Sequence, residues 1–136
     1  MKKIILAIFI FLFSCVIALQ TSAQDYSDDD IYTVVDEKPQ FPGGDEDLKQ
    51  WINKNVQYPI IAIQENIQGR VFVKFIIEKD GSIGKIEIAR GCHPELDKEA
   101  IRVIKSIPFK FKPAILKGKA VRSWFTYPVT FKLQDY

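Results

Sequence analysis

Large apolar residues at every second position between residues 71 and 77 limit most strongly how this chain can fold. The four residues of this pattern are Val71, Val73, Phe75 and Ile77. A strand has a side-chain period of two, so all four lie on one face of a strand, whereas a helix would scatter them. Asp80-Gly81 follows after Glu78 and Lys79, and this pair favours the positive φ angles of a tight hairpin turn. The stretch therefore predicts a β-hairpin with one buried face.

The hairpin is followed by a helical pattern. Its second arm runs from Ile83 to Arg90, and Gly84 within it predicts a β-bulge that shifts the register. A helix is predicted from Pro94 onward. Its apolar stripe contains Leu96, Ala100, Val103, Ile104 and Ile107, and its polar side contains Glu95, Lys98, Glu99, Arg102 and Lys105. The stripe is expected to cover one face of the sheet.

A last strand is predicted close to the C-terminus. One face of it would carry Val121, Ser123, Phe125, Tyr127, Val129, Phe131 and Leu133. Pro128 lies in the middle and cannot donate a ladder hydrogen bond, so the strand is predicted to be an edge strand or a bulged one. An exposed edge can pair with another extended chain. The alternative, an edge that basic side chains protect and that binds nothing, stays open from the residues alone.

The residues before the hairpin predict helices. Two prolines and two glycines between Lys38 and Gly44 precede an amphipathic helix over residues 45–55, and a short helix begins at Pro59. A short strand over Ile31–Val35 is left open. The predicted fold class is therefore α+β, a small antiparallel sheet with a β-β-α-β core plus an N-terminal helical segment.

The first residues have the pattern of an export signal. Lys2 and Lys3 precede the apolar run Ile4–Leu19, and the small residues Thr21-Ser22-Ala23 follow. We expect residues 1–23 to be a signal peptide; an uncleaved membrane anchor and lipid attachment at Cys15 are the alternatives. Residues 24–36 are expected to form an acidic flexible tether, and residues 37–136 a single domain. The domain is expected in the periplasm, or anchored to the inner membrane if the signal is retained.

Charge and cysteine content exclude several classes of function. Removal of residues 1–23 takes away two of 19 basic residues and leaves 17 against 17 acidic ones, which argues against a nucleic-acid partner. Residues 24–47 hold nine carboxylates, and residues 98–132 hold nine Lys or Arg. Cys92 and His93 stand next to each other without further ligands or a base, so they predict a semi-buried thiol and a helix cap. No catalytic residue, metal or cofactor is expected.

Several motifs together resemble one family, the C-terminal domains of TonB energy transducers. The resemblance spans about Glu37 to Leu133. It is carried by Pro39-Gln40-Phe41-Pro42-Gly43-Gly44, Tyr58-Pro59, Gly69-Arg70-Val71-Phe72-Val73-Lys74-Phe75, Asp80-Gly81-Ser82-Ile83, Arg90-Gly91, Pro94-Glu95-Leu96-Asp97, Lys112-Pro113-Ala114, Gly118-Lys119-Ala120-Val121-Arg122 and Tyr127-Pro128-Val129-Thr130-Phe131. Individually these motifs are weak, but their order and spacing are specific.

The resemblance implies binding without catalysis. It implies that the last strand pairs with an extended segment of an outer-membrane TonB-dependent receptor, and that an inner-membrane proton-driven motor complex supplies the energy if the chain is anchored. The implied partner-binding residues are Trp124, Phe125, Thr126, Tyr127, Val129, Thr130, Phe131 and Lys132. A strand-exchanged homodimer, or an adaptor module without energy transduction, is the alternative. The family's long Pro-rich spacer is not matched by residues 24–36, which reach at most about 45 Å.

Overall fold

A computed structural model of the chain describes residues 29–133, which form strands and helices in an α+β arrangement. The strands are β1 (Ile31–Tyr32), β2 (Gly69–Ile77), β3 (Ile83–Arg90), β4 (Ala114–Leu116) and β5 (Lys119–Phe131). The helices are α1 (Asp45–Asn55), α2 (Ile60–Gln64) and α3 (Pro94–Lys105). The predicted β-β-α-β core is confirmed in β2, β3, α3 and β5, and the predicted helices at 45–55 and after Pro59 are confirmed as well. The predicted signal segment, residues 1–23, lies outside the described residues.

The sheet has the strand order β1-β5-β2-β3. The long central pairing joins β2 and β5 in antiparallel register, from Gly69 opposite Phe131 to Ile77 opposite Ser123. β1 runs parallel to β5 at its other side, with Ile31 opposite Arg122 and Tyr32 opposite Ser123. The early part of β5, around Ser123, therefore lies between two other strands, although the sequence of β5 indicates an edge strand.

β4 is a strand that the sequence analysis missed. It forms a short hairpin with β5 through a two-residue turn, in which Lys117 and Gly118 have φ angles of 51° and 77°. The sequence indicated only the turn, because Pro113 just before β4 and the three-residue length of that strand leave no periodic pattern to recognise. β4 is also bridged to the N-terminal part of the domain, where the Ile115 N–H donates to the Glu37 carbonyl oxygen over 3.0 Å.

The β2–β3 hairpin is confirmed, with one correction to its turn. Gly81 alone has a positive φ, 85°, whereas Asp80 stabilises the turn with its side chain: Oδ1 accepts hydrogen bonds from the Ser82 N–H over 2.9 Å and from the Ser82 hydroxyl over 2.6 Å. A Cβ atom at Gly81 would lie 1.8 Å from the Phe111 carbonyl oxygen, so this turn also requires glycine for space. The register shift predicted near Gly84 is confirmed between the pairs made by Phe75 and Ile77.

The helices cover one face of the sheet and form the core with it. The core cluster includes Val71, Val73, Phe75, Ile77, Val129 and Phe131 from the sheet and Leu96, Ala100, Val103 and Ile104 from α3. The Phe75 ring lies 6.0 Å from the Phe111 ring and 5.4 Å from the Phe125 ring, measured between centroids. The predicted apolar faces of α3 and of the last strand are therefore confirmed, and the aromatic cluster holds β2, β5 and the loop before β4 together.

Glu99 corrects the predicted polar side of α3. Its side chain was expected to face solvent, yet Glu99 is only 8% exposed. The carboxylate accepts a hydrogen bond from the Gln57 N–H over 2.9 Å and from Arg102 Nε over 2.8 Å. Hydrogen bonds and the facing guanidinium satisfy the carboxylate, which is the condition for burying a charged group. Glu99 thereby joins α3 to the segment between α1 and α2.

Cys92 and His93 come directly before α3, and the structure confirms one of the two expectations for them. His93 is the N-cap, and its Nδ1 accepts a hydrogen bond from the Glu95 N–H over 3.2 Å, which confirms the predicted cap. Cys92 was predicted to be semi-buried, but it is an exposed, unbridged cysteine. The residue falls in the turn between β3 and α3, outside the packed faces of both elements.

None of the helices between residues 29 and 133 has the length and apolar character needed to cross a membrane.

Candidate partner-binding edge

The outer side of β5, the side away from β2, is unpaired over most of its length. β1 pairs there only with Arg122 and Ser123, and from Trp124 to Phe131 no other strand between residues 29 and 133 pairs on that side. We call Trp124–Phe131 on this side the open edge. The prediction of an edge strand is therefore correct for the second half of β5 and wrong for its first half, because β1 and β4 pair with residues 119–123.

Pro128 defines the phase of the open edge. Pro128 pairs with Phe72 in an unbroken β2–β5 register. Of the two alternatives predicted for this strand, an edge strand or a bulged one, the bulge is therefore not present. In an antiparallel ladder, successive residues direct their N–H and C=O groups to opposite sides, and a nitrogen without hydrogen fits where it points away from the partner strand. We therefore infer that Thr126 and Thr130, which are in phase with Pro128, direct their N–H groups outward. These two amides are the donors that an added strand would use.

The predicted binding residues divide into two sets by the direction of their side chains. Val129 and Phe131 are 1% and 2% exposed and belong to the core, and Phe125 and Tyr127 pack against it. Trp124, Thr126, Thr130 and Lys132 alternate with them and lie on the opposite face. The first set holds the strand in place, whereas the second is accessible beside the open edge.

A groove of about 420 Å³ borders the last part of the open edge. It lies between α1 and the ends of β2 and β5, and its lining residues are Lys49, Ile52, Asn53, Arg70, Tyr127, Pro128, Thr130 and Lys132. Sequence reasoning missed Lys49, Asn53 and Arg70. The i,i+4 spacing of Lys49 and Asn53 places them on one side of α1, but nothing in the spacing indicates that this side borders β5.

The face of the sheet opposite the helices carries charged and aromatic side chains next to the open edge. Lys74 Nζ lies 4.6 Å from the centre of the Trp124 ring and 3.3 Å from a Glu87 oxygen. Arg122 donates to both carboxylate oxygens of Glu78, over 2.6 Å and 3.2 Å, and to the Asp29 carbonyl oxygen over 3.0 Å. Arg122 thus fixes the N-terminal segment beside the start of the open edge.

The phenol of Tyr127, at the helix side of the groove, has a raised pKa. Its burial raises the pKa of the phenol above the ordinary value of 10.0, and the carboxylates of Asp45 and Glu46 raise it further because they disfavour a nearby phenolate. The phenol is therefore neutral at every physiological pH. The groove offers a neutral hydroxyl at this end.

The raised pKa of Tyr127 predicts how stability depends on alkaline pH. The folded phenol holds its proton more tightly than the unfolded one, so its contribution is fully present below pH 10.0 and is lost as the pH rises through the raised folded pKa. We expect wild-type unfolding free energy to fall more steeply above pH 10.0 than that of Tyr127→Phe. Urea unfolding of both proteins across this range measures the difference, and equal slopes would show that the folded phenol titrates normally.

Within the described residues, no group of three or more His, Cys, Asp or Glu side chains is placed to hold a metal ion. The open edge offers backbone donors and acceptors, and the groove offers two hydroxyls, one side-chain amide and three cations.

Comparisons with known proteins agree with this architecture. The family model described as the C-terminal region of Gram-negative bacterial TonB proteins matches residues 54–133, which is more than half of the chain. Solution NMR structures of two fragments of the Helicobacter pylori TonB C-terminal domain are both 24% identical to this chain. One has a TM-score of 0.52 and aligns over 68% of this chain and 86% of its own; the other has a TM-score of 0.49, over 65% and 92%. The first of these likenesses supports a common fold. A search among curated proteins found no significant match.

Proposed function

The chain belongs to the family of Gram-negative bacterial TonB C-terminal domains, and we propose on that premise that its domain binds extended segments of outer-membrane TonB-dependent receptors. The receptor segment would pair with the open edge as an additional strand. Binding of this kind would support energised transport across the outer membrane. The pattern of residues 1–23 supports export, so we place the domain in the periplasm.

The observation that carries this proposal is the open edge itself. It is eight residues long, and among residues 29–133 it has no strand of the chain to cover it. We infer from the phase of Pro128 that the amides of Thr126 and Thr130 point outward along it. A long unpaired strand edge is costly to keep because it invites uncontrolled association, so natural domains usually cover or shorten it. An uncovered edge beside a groove that can receive side chains fits a domain that captures a strand.

An inner-membrane proton-driven motor complex is part of the proposal only for an anchored chain. If residues 1–23 are retained, the domain would transmit force to the receptor; if they are removed, it would bind receptors as an accessory protein. Intact mass and N-terminal sequencing of the protein from fractionated cells of its host distinguish these cases.

Binding is tested with synthetic peptides from the N-terminal segments of outer-membrane receptors encoded by the same organism. Trp124 lies at the start of the open edge, and a Trp51→Phe variant leaves it as the only tryptophan in the chain. We expect its fluorescence to change saturably as a receptor peptide is added, and a scrambled peptide to leave it unchanged. If the domain binds none of the receptor peptides and forms stable dimers through β5, the result would favour the adaptor alternative.

A further inference from the structure

We propose that a second groove, on the opposite side of α1 from the open edge, binds a proline-rich segment of a partner protein that also carries Lys or Arg. This inference goes beyond the proposed function, because it concerns a different surface and a different class of segment. The groove has a volume of about 370 Å³. Phe41 and Pro42 line it from the segment before α1, Phe109 lines it from the segment after α3, and four residues of α1 complete it. We call it the aromatic groove.

Helical spacing separates the aromatic groove from the groove beside the open edge. The four α1 residues of the aromatic groove have the spacing i, i+3, i+4 and i+7 and therefore form one stripe along the helix: Asp47, Gln50, Trp51 and Lys54. The α1 residues that line the groove beside the open edge fall on the other side of the helix: Lys49, Ile52 and Asn53. A segment in the aromatic groove would therefore leave the open edge free.

The walls of the aromatic groove expose aromatic surface. Phe109 is 50% exposed, and it is the only aromatic residue among the exposed large apolar side chains of residues 29–133. Its ring meets the ring of Phe41 edge-on, and Phe41 is itself buried, so Phe109 is held against the core. Trp51 is half-buried on the facing helix, and Pro42 is exposed beside it. Grooves with aromatic walls are the surfaces on which proline-rich segments dock.

The polar groups along the α1 stripe suit the backbone of such a segment. A proline-rich segment forms a polyproline II helix, whose carbonyl oxygens have no internal partners and whose prolines carry no N–H. It therefore needs donors, and the side chains of Gln50, Trp51 and Lys54 supply them. Among residues 29–133, none of these three side chains makes a hydrogen bond or an ion pair within the domain. A saccharide would also need several acceptors for its hydroxyl groups, and this stripe offers few.

Asp47 determines the charge that the segment should carry. It is the only carboxylate in the lining of the aromatic groove, and its side chain lies directly over Gly43, where a Cβ atom would clash with it. Asp47 and Lys54 are seven positions apart on α1, which corresponds to about 10 Å along the helix axis. Three residues of a polyproline II helix span about 9 Å. A basic side chain at Asp47 would therefore lie about one turn of the segment away from a carbonyl oxygen bound by Lys54.

The test uses a Trp124→Phe variant, in which Trp51 is the only tryptophan. One synthetic peptide consists of repeated Pro-Pro-Lys units, and the second consists of Gly-Ser-Lys units, which keep the charge and remove the proline. We expect the proline peptide to change the fluorescence of Trp51 saturably. It should bind at least tenfold more tightly than the second peptide, because its backbone is already ordered before binding.

Two pairs of variants locate the contact. Phe109→Ala should weaken binding of the proline peptide about tenfold, because aromatic anchors dominate such contacts. Ile61→Ala removes a side chain of similar exposure, 48%, on α2 outside the aromatic groove and should leave binding unchanged. Asp47→Asn should weaken binding about threefold at low ionic strength, whereas Asp45→Asn, in the same turn of α1 but outside the groove, should have a much smaller effect.

Three results would overturn this inference. Equal binding of the two peptides would mean that charge alone attracts them. Equal losses in Phe109→Ala and Ile61→Ala would mean that the aromatic groove is not the contact surface. A change in Trp51 fluorescence with a neutral oligosaccharide but not with the proline peptide would assign the groove to sugars. All three would leave strand capture intact, because receptor peptides test it at the open edge. Circular dichroism of each variant verifies that the domain is folded.

Discussion

Replacing Phe75 with alanine is expected to cost about 3–5 kcal/mol of unfolding free energy, the largest stability loss that we predict for a single substitution. Phe75 is fully buried at the centre of β2, and its ring contacts those of Phe111 and Phe125. Truncation would leave a cavity that a sheet residue paired on both sides cannot close by moving. Small domains have stabilities of about 5–15 kcal/mol, so the variant would lie near the limit of folding.

Phe109→Ala is the matched control for this substitution. Phe109 contacts the same cluster through Phe41, with the two rings 5.9 Å apart, but it is 50% exposed. We expect its removal to cost about 1 kcal/mol or less, because half of its surface is already exposed to water. Denaturant unfolding of both variants provides the comparison. Similar losses in the two proteins would mean that the packing of Phe75 does not determine stability.

Replacing Thr126 with proline is expected to weaken binding of a receptor segment at least tenfold and to leave the fold intact. The substitution removes an outward N–H from the open edge and places a ring where the added strand would approach. Loss of the hydrogen bond accounts for about 1 kcal/mol, and the steric clash raises the cost beyond the 1.4 kcal/mol of a tenfold change. Natural Pro128 shows that this phase of β5 accepts proline within an uninterrupted register.

Two further variants separate the lost hydrogen bond from other effects. Thr126→Val changes the same side chain but keeps the N–H, so it should bind nearly as well as the wild type. Tyr127→Pro removes an N–H of the opposite phase, which we infer to point toward β2, and should destabilise the domain itself by leaving a ladder acceptor unsatisfied. If Thr126→Pro binds as the wild type does and remains folded, the segment does not pair at the open edge.

Elements with strong periodicity could be predicted from the sequence. The alternation from Val71 to Ile77 and the apolar stripe of α3 each carry enough apolar residues to determine one buried face, and both faces are buried in the structure. The turn at Gly81 was also predictable, because a positive φ favours glycine strongly. Local patterns thus determined the α+β class and the central hairpin.

Features that depend on contacts far apart in the chain could not be predicted. Glu99 fits a polar helix side by spacing, and its burial depends on Gln57, which is 42 residues earlier. β1 has two residues, and it pairs only because Ile31 and Tyr32 meet Arg122 and Ser123 from the other end of the chain. The same limit applies to the groove beside the open edge, because Lys49 and Arg70 come to line it only through tertiary packing. Pro128 indicated that β5 is an edge strand, but the sequence did not show which part of β5 would be left unpaired.

Amide hydrogen exchange of the domain with and without a receptor peptide tests strand capture most directly. We expect the amides of Thr126 and Thr130 to exchange rapidly in the free domain and slowly in the complex. The amides of Phe125, Tyr127 and Val129, which we infer to be bonded to β2, should be protected in both. Unchanged exchange at Thr126 and Thr130 in a saturated complex, with new protection elsewhere, such as at the exposed Ile60 and Ile61 of α2, would contradict strand capture at the open edge.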